Sequence, residues 1–467
     1  MKLGLDHGEN VSSVRARLGV GKSFDCIERH LTVGGEDVAF FYIDGFIKDA
    51  ELQRVMQQVT SADKIVSAGE LLERLAYVEV GTMNDIDGIV AAVLSGQTAL
   101  LADAFSGTAI LIDARTYPAR QTAEPDSDRV MQGARDGFVE TLVMNTALIR
   151  RRIRDPRLRM EHMTVGTSSR TDIVLCYMDG TASEKLLEDI RGRLRSIKTK
   201  SLTLGYQSLT ECLIRRGWLN PFPKVRSTER PDTAAAQVME GSVIILCDTS
   251  PQAMILPTSI FDYLQQTDDY YFPPLTGTYL RIVRTAILLL SLFVTPLWYV
   301  SLEYAHLLPP ALAFLVPDSP GALPIMLQLL LVEVAIDGLK IASMNTPDML
   351  SNSLSVIGAL ILGDFAVTVG WVCPDVILYM AFVALANFAQ QNAELGYAIK
   401  YVRVLTLIAV WLLGAWGLLV GFGIFLLLVS TNRTATGKRH YLYPLVPFNG
   451  RAMRRLLFRT KKDDFDE

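Results

Sequence analysis

The chain has 467 residues, with 45 Lys and Arg against 49 Asp and Glu, a formal charge of −4, 50% hydrophobic and 20% charged residues. That is material for several domains and too apolar for a disordered or collagen-like polymer. The slightly acidic balance excludes a general attraction to nucleic acid, and no basic patch with interleaved aromatics supplies a local one.

The first thirty residues hold Asp6, Glu9, Arg15, Arg17, Asp25 and Glu28 and lack the apolar run of a cleavable signal, so the N-terminus is expected in the cytoplasm. Residues 1–23 are expected as an N-terminal tail. Within them GVGKS (Gly19–Ser23) invites a phosphate-loop reading, but GxxxxGK[ST] requires a glycine where Ala16 stands and an apolar strand before it. A mobile loop is the expectation.

A first small α/β module is predicted over 24–114. Asp37–Tyr42 (DVAFFY) reads as a strand ending at Ile43-Asp44-Gly45, followed by a helix from about Asp49 to Val59. Thr98–Ile112 reads as two short strands around a turn near Ser106-Gly107. Residues 115–135 combine prolines and charges with few large apolar groups and read as a linker. A second α/β module follows over 136–275: a helix from about Phe138 to Arg154, a strand at Thr171–Met178, and a helix from Ser183 to Ile197 with Ser183 at its N-cap. Ser242–Cys247 and Ala253–Leu256 then flank a hairpin-like turn. The run Arg150, Arg151, Arg152, Arg154, Arg157 and Arg159 admits two readings, a site for anionic lipid or an acidic partner, and a solvated helix C-terminus favoured by the dipole.

Composition changes near 280, where long apolar runs begin. Five segments are expected in the membrane, at about 285–302, 323–340, 353–372, 374–393 and 404–430, followed by a basic cytoplasmic tail over 431–467. Val404–Ser430 is 27 residues without a charge, enough for one tilted span. Thr285–Leu302 is uncharged between Arg284 and Glu303. Arg281 and Arg284 before the first span, and Arg433, Lys438, Arg439, Arg451, Arg454 and Arg455 after the last, predict both ends on the cytoplasmic side. Equal sidedness requires an even number of crossings, so one middle segment, 323–340 or 374–393, is expected to be re-entrant. The fold class is therefore a cytoplasmic α/β half of two small modules followed by an all-α polytopic membrane domain.

Leu323–Lys340 carries the sharpest constraint. About ten large apolar residues at roughly −0.3 to −0.6 kcal/mol each do not outweigh Glu333, Asp337 and Lys340 at about 2.5–3.5 kcal/mol apiece. The spacing i, i+4, i+7 sets the three on one helical face. Two readings stay open: a polar pathway for ions or protons, and an internal ion pair that seats the helix in its bundle. Asn387, Gln390, Gln391 and Glu394 share a second polar face, and Asp364 lies among Gly358, Gly363 and Gly370, where helices can approach closely. The ion-pathway candidates are Glu333, Asp337, Lys340, Asp364, Asn387 and Gln391.

The five cysteines (Cys26, Cys176, Cys212, Cys247, Cys373) form no CxxC pair, and the five histidines no HExxH. Inert thiols, no metal and no cofactor are expected. No nucleophile with its base, and no paired carboxylates, point to an enzyme. Repeated halves with broken helices, the mark of a secondary transporter, are not evident.

Several long motifs resemble the A-subunit family of bacterial spore germinant receptors: Gly133–Leu158 (GARDGFVETLVMNTALIRRRIRDPRL), Asn220–Val225 (NPFPKV) with Thr228–Asp232 (TERPD), Asp268–Pro274 (DDYYFPP), Ser355–Leu378 and Ala393–Leu405 (AELGYAIKYVRVL). The likeness runs from about residue 24 onward. Val332–Leu350 and Tyr443–Met453 are similar to the stage V sporulation protein AF branch rather than to the glutamate- and arginine-rich version of receptor A subunits. The resemblance implies a multi-pass protein of the spore inner membrane that acts in germination, forms a homo-oligomer, works with other germination membrane proteins, and conducts or helps release monovalent ions. A non-conducting scaffold of the receptor complex is the competing reading.

Overall fold

The computed structural model describes residues 1–47, 49–77, 79–115, 130–214, 219–345, 366–390, 392–435 and 441–459. The chain divides into two compact units. Unit 1 comprises Met1–Arg215, Val225–Thr258 and Thr434–Gly437; unit 2 comprises Arg216–Lys224, Ser259–Arg433 and Lys438–Glu467. As the patterning predicts, unit 1 is built of strands and helices and unit 2 is helical.

Unit 1 holds two five-stranded antiparallel sheets. β1 (Cys26–Val33), β2 (Glu36–Ile43), β3 (Val80–Met83), β4 (Thr98–Ala102) and β5 (Ala109–Ile112) are ordered β1-β2-β4-β5-β3. β6 (Leu158–Val165), β7 (Thr171–Met178), β8 (Arg226–Thr228), β9 (Val243–Cys247) and β10 (Ala253–Leu256) repeat that order as β6-β7-β9-β10-β8. The period of two sorts β2 between faces. Ala39, Phe41 and Ile43 join the core under α1 (His7–Leu18) and α4 (Ile86–Leu94), whereas Val38 and Phe40 join the core under α2 (Asp49–Thr60) and α3 (Ala68–Arg74). β7 divides likewise. Its odd positions from Ile173 face α6 (Glu184–Arg195) and α7 (Tyr206–Leu213), its even ones α5 (Leu142–Arg152) and α8 (Pro231–Met239). Sequence follows architecture: DVAFFYIDG (37–45) and DIVLCYMDG (172–180) occupy equivalent strands, and Asp44-Gly45 and Asp179-Gly180 both turn through a glycine with positive φ. The modules are an internal structural repeat.

Three expectations for unit 1 are corrected. Residues 7–18 are not tail but helix α1, capped by the Asp6 carboxylate at the Glu9 N–H and by Gly19 at φ 71°, with Val11, Val14 and Leu18 in the core. The GVGKS loop is not mobile at its end: Ser23 is buried, accepting the Met160 N–H at 2.9 Å and donating to Asp25 at 2.8 Å. The arginine run is largely consumed by carboxylates. Arg150, fully buried, donates Nε and Nη2 to Asp25 at 2.8 and 3.1 Å and so joins the two modules. Arg152 is held by Asp136, Arg157 by Asp155 and Arg159 by Asp179. Burial pushes the Cys26 and Cys247 thiols up to about 12, which makes them inert at neutral pH.

In unit 2 the described helices are α9 (Asp268–Tyr271), α10 (Pro274–Glu303), α11 (Ile325–Asn345), α12 (Pro374–Phe388), α13 (Ala393–Leu413), α14 (Trp416–Thr431) and α15 (Gly450–Leu457), with a single turn at Ala366–Thr368. α10 and α13 are long and apolar enough to cross a membrane. The expected single span over 404–430 is a helical hairpin instead. α13 stops at Gly414, whose φ of 59° admits the reversal, and α14 packs back against it. A Cβ on Gly417 would meet the Val410 backbone at 2.3 Å, and one on Gly421 the Thr406 side chain at 2.3 Å, so the small-xxx-small face sets the approach. α12, with 15 residues, and α14, with 16, run only about 22–24 Å against about 30 Å of hydrocarbon. Arg281 and Arg284 are a second correction: they lie inside α10, buried, and share the buried Asp269 carboxylate rather than flanking the span as free charges. Residues 353–365 of the third expected segment lie outside the described residues.

Two outcomes test these junctions. Asp25→Asn leaves the Arg150 guanidinium buried without its countercharge and should destabilise unit 1 by about 3–5 kcal/mol, read in denaturant unfolding of the purified chain. Gly417→Ala should lower the melting temperature through a clash costing about 1–3 kcal/mol, whereas Gly423→Ala, where a Cβ meets nothing within 4 Å, should be neutral or stabilising.

Candidate functional site

The site begins with the cost that α11 carries. Glu333, Asp337 and Lys340 fall on successive turns of one face, and that face meets α13, where Arg403, Lys400 and Tyr397 recur every three residues. The helices run antiparallel along this seam, so acids meet bases in reverse order. Arg403 Nη2 donates to both Glu333 oxygens at 2.7 and 2.9 Å, with the guanidinium fully buried, and Nη1 donates to the Ser291 carbonyl of α10 at 3.3 Å. Lys400 Nζ lies 3.3 Å from Glu333 Oε1 and contacts Asp337 Oδ2 directly. Lys340 continues the seam differently: its ammonium stands 4.7 Å from the Tyr397 ring centroid, a cation–π contact.

The charges are thus graded along α11. Glu333 is buried and matched by two cations within the same chain, so its countercharge needs no neighbouring copy. Asp337 keeps 35% of its side-chain surface exposed. Beside it opens a cavity of about 130 Å³ lined among others by Asp337, Lys340, Asn387, Gln390, Tyr397 and Lys400, with room for several waters. Asn387 Oδ1 and Gln390 Nε2 are buried there and find no hydrogen-bond partner among the described residues. The space is lined by one carboxylate, two ammoniums and two carboxamides, groups of the kind that can hold water or a small ion.

Of the expected pathway residues, the structure brings Glu333, Asp337, Lys340 and Asn387 to α11 and α12 around this seam. Asp364 and Gln391 lie outside the described residues. The second polar face is not one continuous helix, because α12 ends at Phe388 and α13 starts at Ala393; Glu394 is exposed. Sequence reasoning missed Lys400 and Arg403. Two cations at i, i+3 in an otherwise apolar helix were the available signal, hidden because the uncharged window begins at Val404. Gln328, also unforeseen, is fully buried: its Nε2 donates to the Pro320 and Leu323 carbonyls at 2.6 and 2.7 Å, and its Oε1 accepts the Cys373 N–H at 2.9 Å, tying α11 to the start of α12.

Arg403→Met should leave the buried Glu333 carboxylate with Lys400 alone, which Asp337 also claims, and destabilise unit 2 by about 3 kcal/mol in detergent melts; the double variant Arg403→Met with Glu333→Leu should recover most of that loss.

The sequence matches the family model described as Bacillus/Clostridium GerA spore germination protein over residues 14–466. Stage V sporulation protein AF of Bacillus subtilis (strain 168) is 36% identical over 461 residues, covering 97% of this chain and 92% of that protein. Spore germination protein KA of the same organism is 29% identical over 454 residues, covering 94% and 82%. Among solved structures, the N-terminal domain of the A subunit of the Bacillus megaterium spore germinant receptor GerK3 is 25% identical with a TM-score of 0.41, covering 55% of this chain and 96% of that one.

Proposed function

The chain belongs to the GerA family of spore germination proteins, and from that premise we propose that it is an oligomeric, multi-pass protein of the spore inner membrane that conducts or helps release monovalent ions during germination. It supports or amplifies the germinant response alongside other germination membrane proteins, with both termini on the core side. The observation that carries the reading is the cavity at Asp337. Charged and carboxamide side chains lining a cavity among apolar helices suit a hydrated path or an assembly axis. Large apolar side chains exposed on α13 and α14, including Trp411, Leu412, Trp416, Leu419 and Leu427, suit a hydrocarbon-facing surface. Helices α12 and α14, both shorter than the hydrocarbon is thick, are the re-entrant candidates.

The scaffold reading is favoured by a different observation, the closure of Glu333 by Arg403 and Lys400 inside one chain, which needs neither water nor a pore. Ion flux separates the two. In proteoliposomes the parent chain should pass potassium, and Asp337→Asn combined with Lys340→Gln should change that flux about fivefold or more, the effect of removing ~1 kcal/mol of Coulomb interaction at ~4 Å in water-like surroundings. Equal flux from parent and variant overturns the pathway role, and no flux from the parent favours the scaffold.

A further inference from the structure

The segment 441–459 (YLYPLVPFNGRAMRRLLFR) contains four arginines and no acidic residue. Helix α15 inside it is capped by Asn449, whose Oδ1 accepts the Ala452 N–H at 3.1 Å. Arg451 and Arg454 are exposed on it, and the large apolar side chains Leu445, Val446, Phe448, Leu457 and Phe458 are exposed around it. A soluble surface would not keep so many apolar groups beside unpaired cations. Among the described residues no carboxylate pairs with Arg451 or Arg454.

The location of this segment is determined by hydrogen bonds. Arg281 of α10 donates Nη1 to the Arg455 and Leu456 carbonyls at 3.0 and 2.7 Å, and the Arg459 N–H donates to Thr278 Oγ1 at 3.0 Å. Arg459 Nη2 donates to the Tyr270 carbonyl at 2.6 Å. The uncharged stretch of α10 starts directly after these contacts, at Thr285. α15 is therefore pinned to the first turns of a helix that crosses a bilayer, at the depth where hydrocarbon gives way to headgroups. Buried Asp269 is shared by Arg281 and Arg284 there, whereas Arg451 and Arg454 are exposed. A basic amphipathic helix at that depth has one fitting occupant for its surface, the anionic headgroups of the adjoining leaflet, with its apolar side chains in the acyl boundary.

We propose that α15 and the preceding 443–448 segment form an interfacial platform that binds anionic lipid through Arg451 and Arg454. The inference rests on the membrane reading of unit 2 and is independent of ion conduction. The test is carried out on the full chain in vesicles of nine parts phosphatidylcholine to one part phosphatidylglycerol. Four of the five cysteines are buried, so Phe448→Cys in a Cys212→Ser background takes one bimane label. One tenth of the lipid is then brominated, either all as phosphatidylglycerol or all as phosphatidylcholine. The expected result is stronger quenching by the brominated phosphatidylglycerol, up to about fivefold per arginine engaged, lost in Arg451→Glu with Arg454→Glu. High salt should also remove the preference in the unmutated background, which keeps the test decisive if the arginine variant fails to fold. Bimane at Leu412→Cys reports insertion separately. Absence of quenching there removes the membrane reading; quenching there with no headgroup preference at position 448 overturns this proposal alone.

Discussion

Unit 2 depends on the meeting of two helices that apolar surroundings would each reject. α11 carries Glu333 and Asp337, α13 carries Lys400 and Arg403, and every one of these charges is expensive in hydrocarbon by itself. Packed antiparallel, they cancel: Arg403 chelates Glu333 and Lys400 bridges both acids. The cancellation ties α11 to α13 in one register, since sliding either helix by a turn would leave a buried ion without its partner. Buried ion pairs contribute little net stability compared with apolar side chains, so their value here is in specifying which helices meet. The Gly414 hairpin then follows, because α14 must return along α13 and its glycines permit the close approach.

The same device recurs at the other junctions. Asp25 and Arg150 join the two modules of unit 1, and Asp269 gathers Arg281 and Arg284 at the start of α10. In each case the acid is buried and the partner is an arginine, whose planar donors match a carboxylate in a fixed orientation. A consequence for reading such chains is that arginines beside an apolar run are not always free charges that vote on topology. Here Arg281 and Arg284 are internal, whereas Arg433 and, on α15, Arg451 and Arg454 are exposed.

Asp337 differs from Glu333 in degree rather than kind. It shares Lys400, retains solvent exposure and borders a cavity where Asn387 Oδ1 and Gln390 Nε2 find no hydrogen-bond partner among the described residues. The site thus grades from a closed ion pair to a partly open polar cavity within about one helical turn.

Much of this was legible from residues alone. The short apolar runs rich in β-branched and aromatic residues in DVAFFY and TDIVLCYM foretold β2 and β7, the uncharged run from Thr285 foretold most of α10, and the arithmetic of three charges among leucines marked α11 as a helix that needs partners. Those are local signals, written in neighbouring residues. The repeat of the two modules was also on the page, in DVAFFYIDG and DIVLCYMDG, but is recognised only when the strand orders are laid side by side. Tertiary structure alone decided which charge answers which, because Glu333 and Arg403 are seventy residues apart and a sequence records composition without direction in space. It also decided that Val404–Ser430 turns at Gly414, since hydropathy measures how apolar a stretch is and is blind to a single residue whose backbone can reverse.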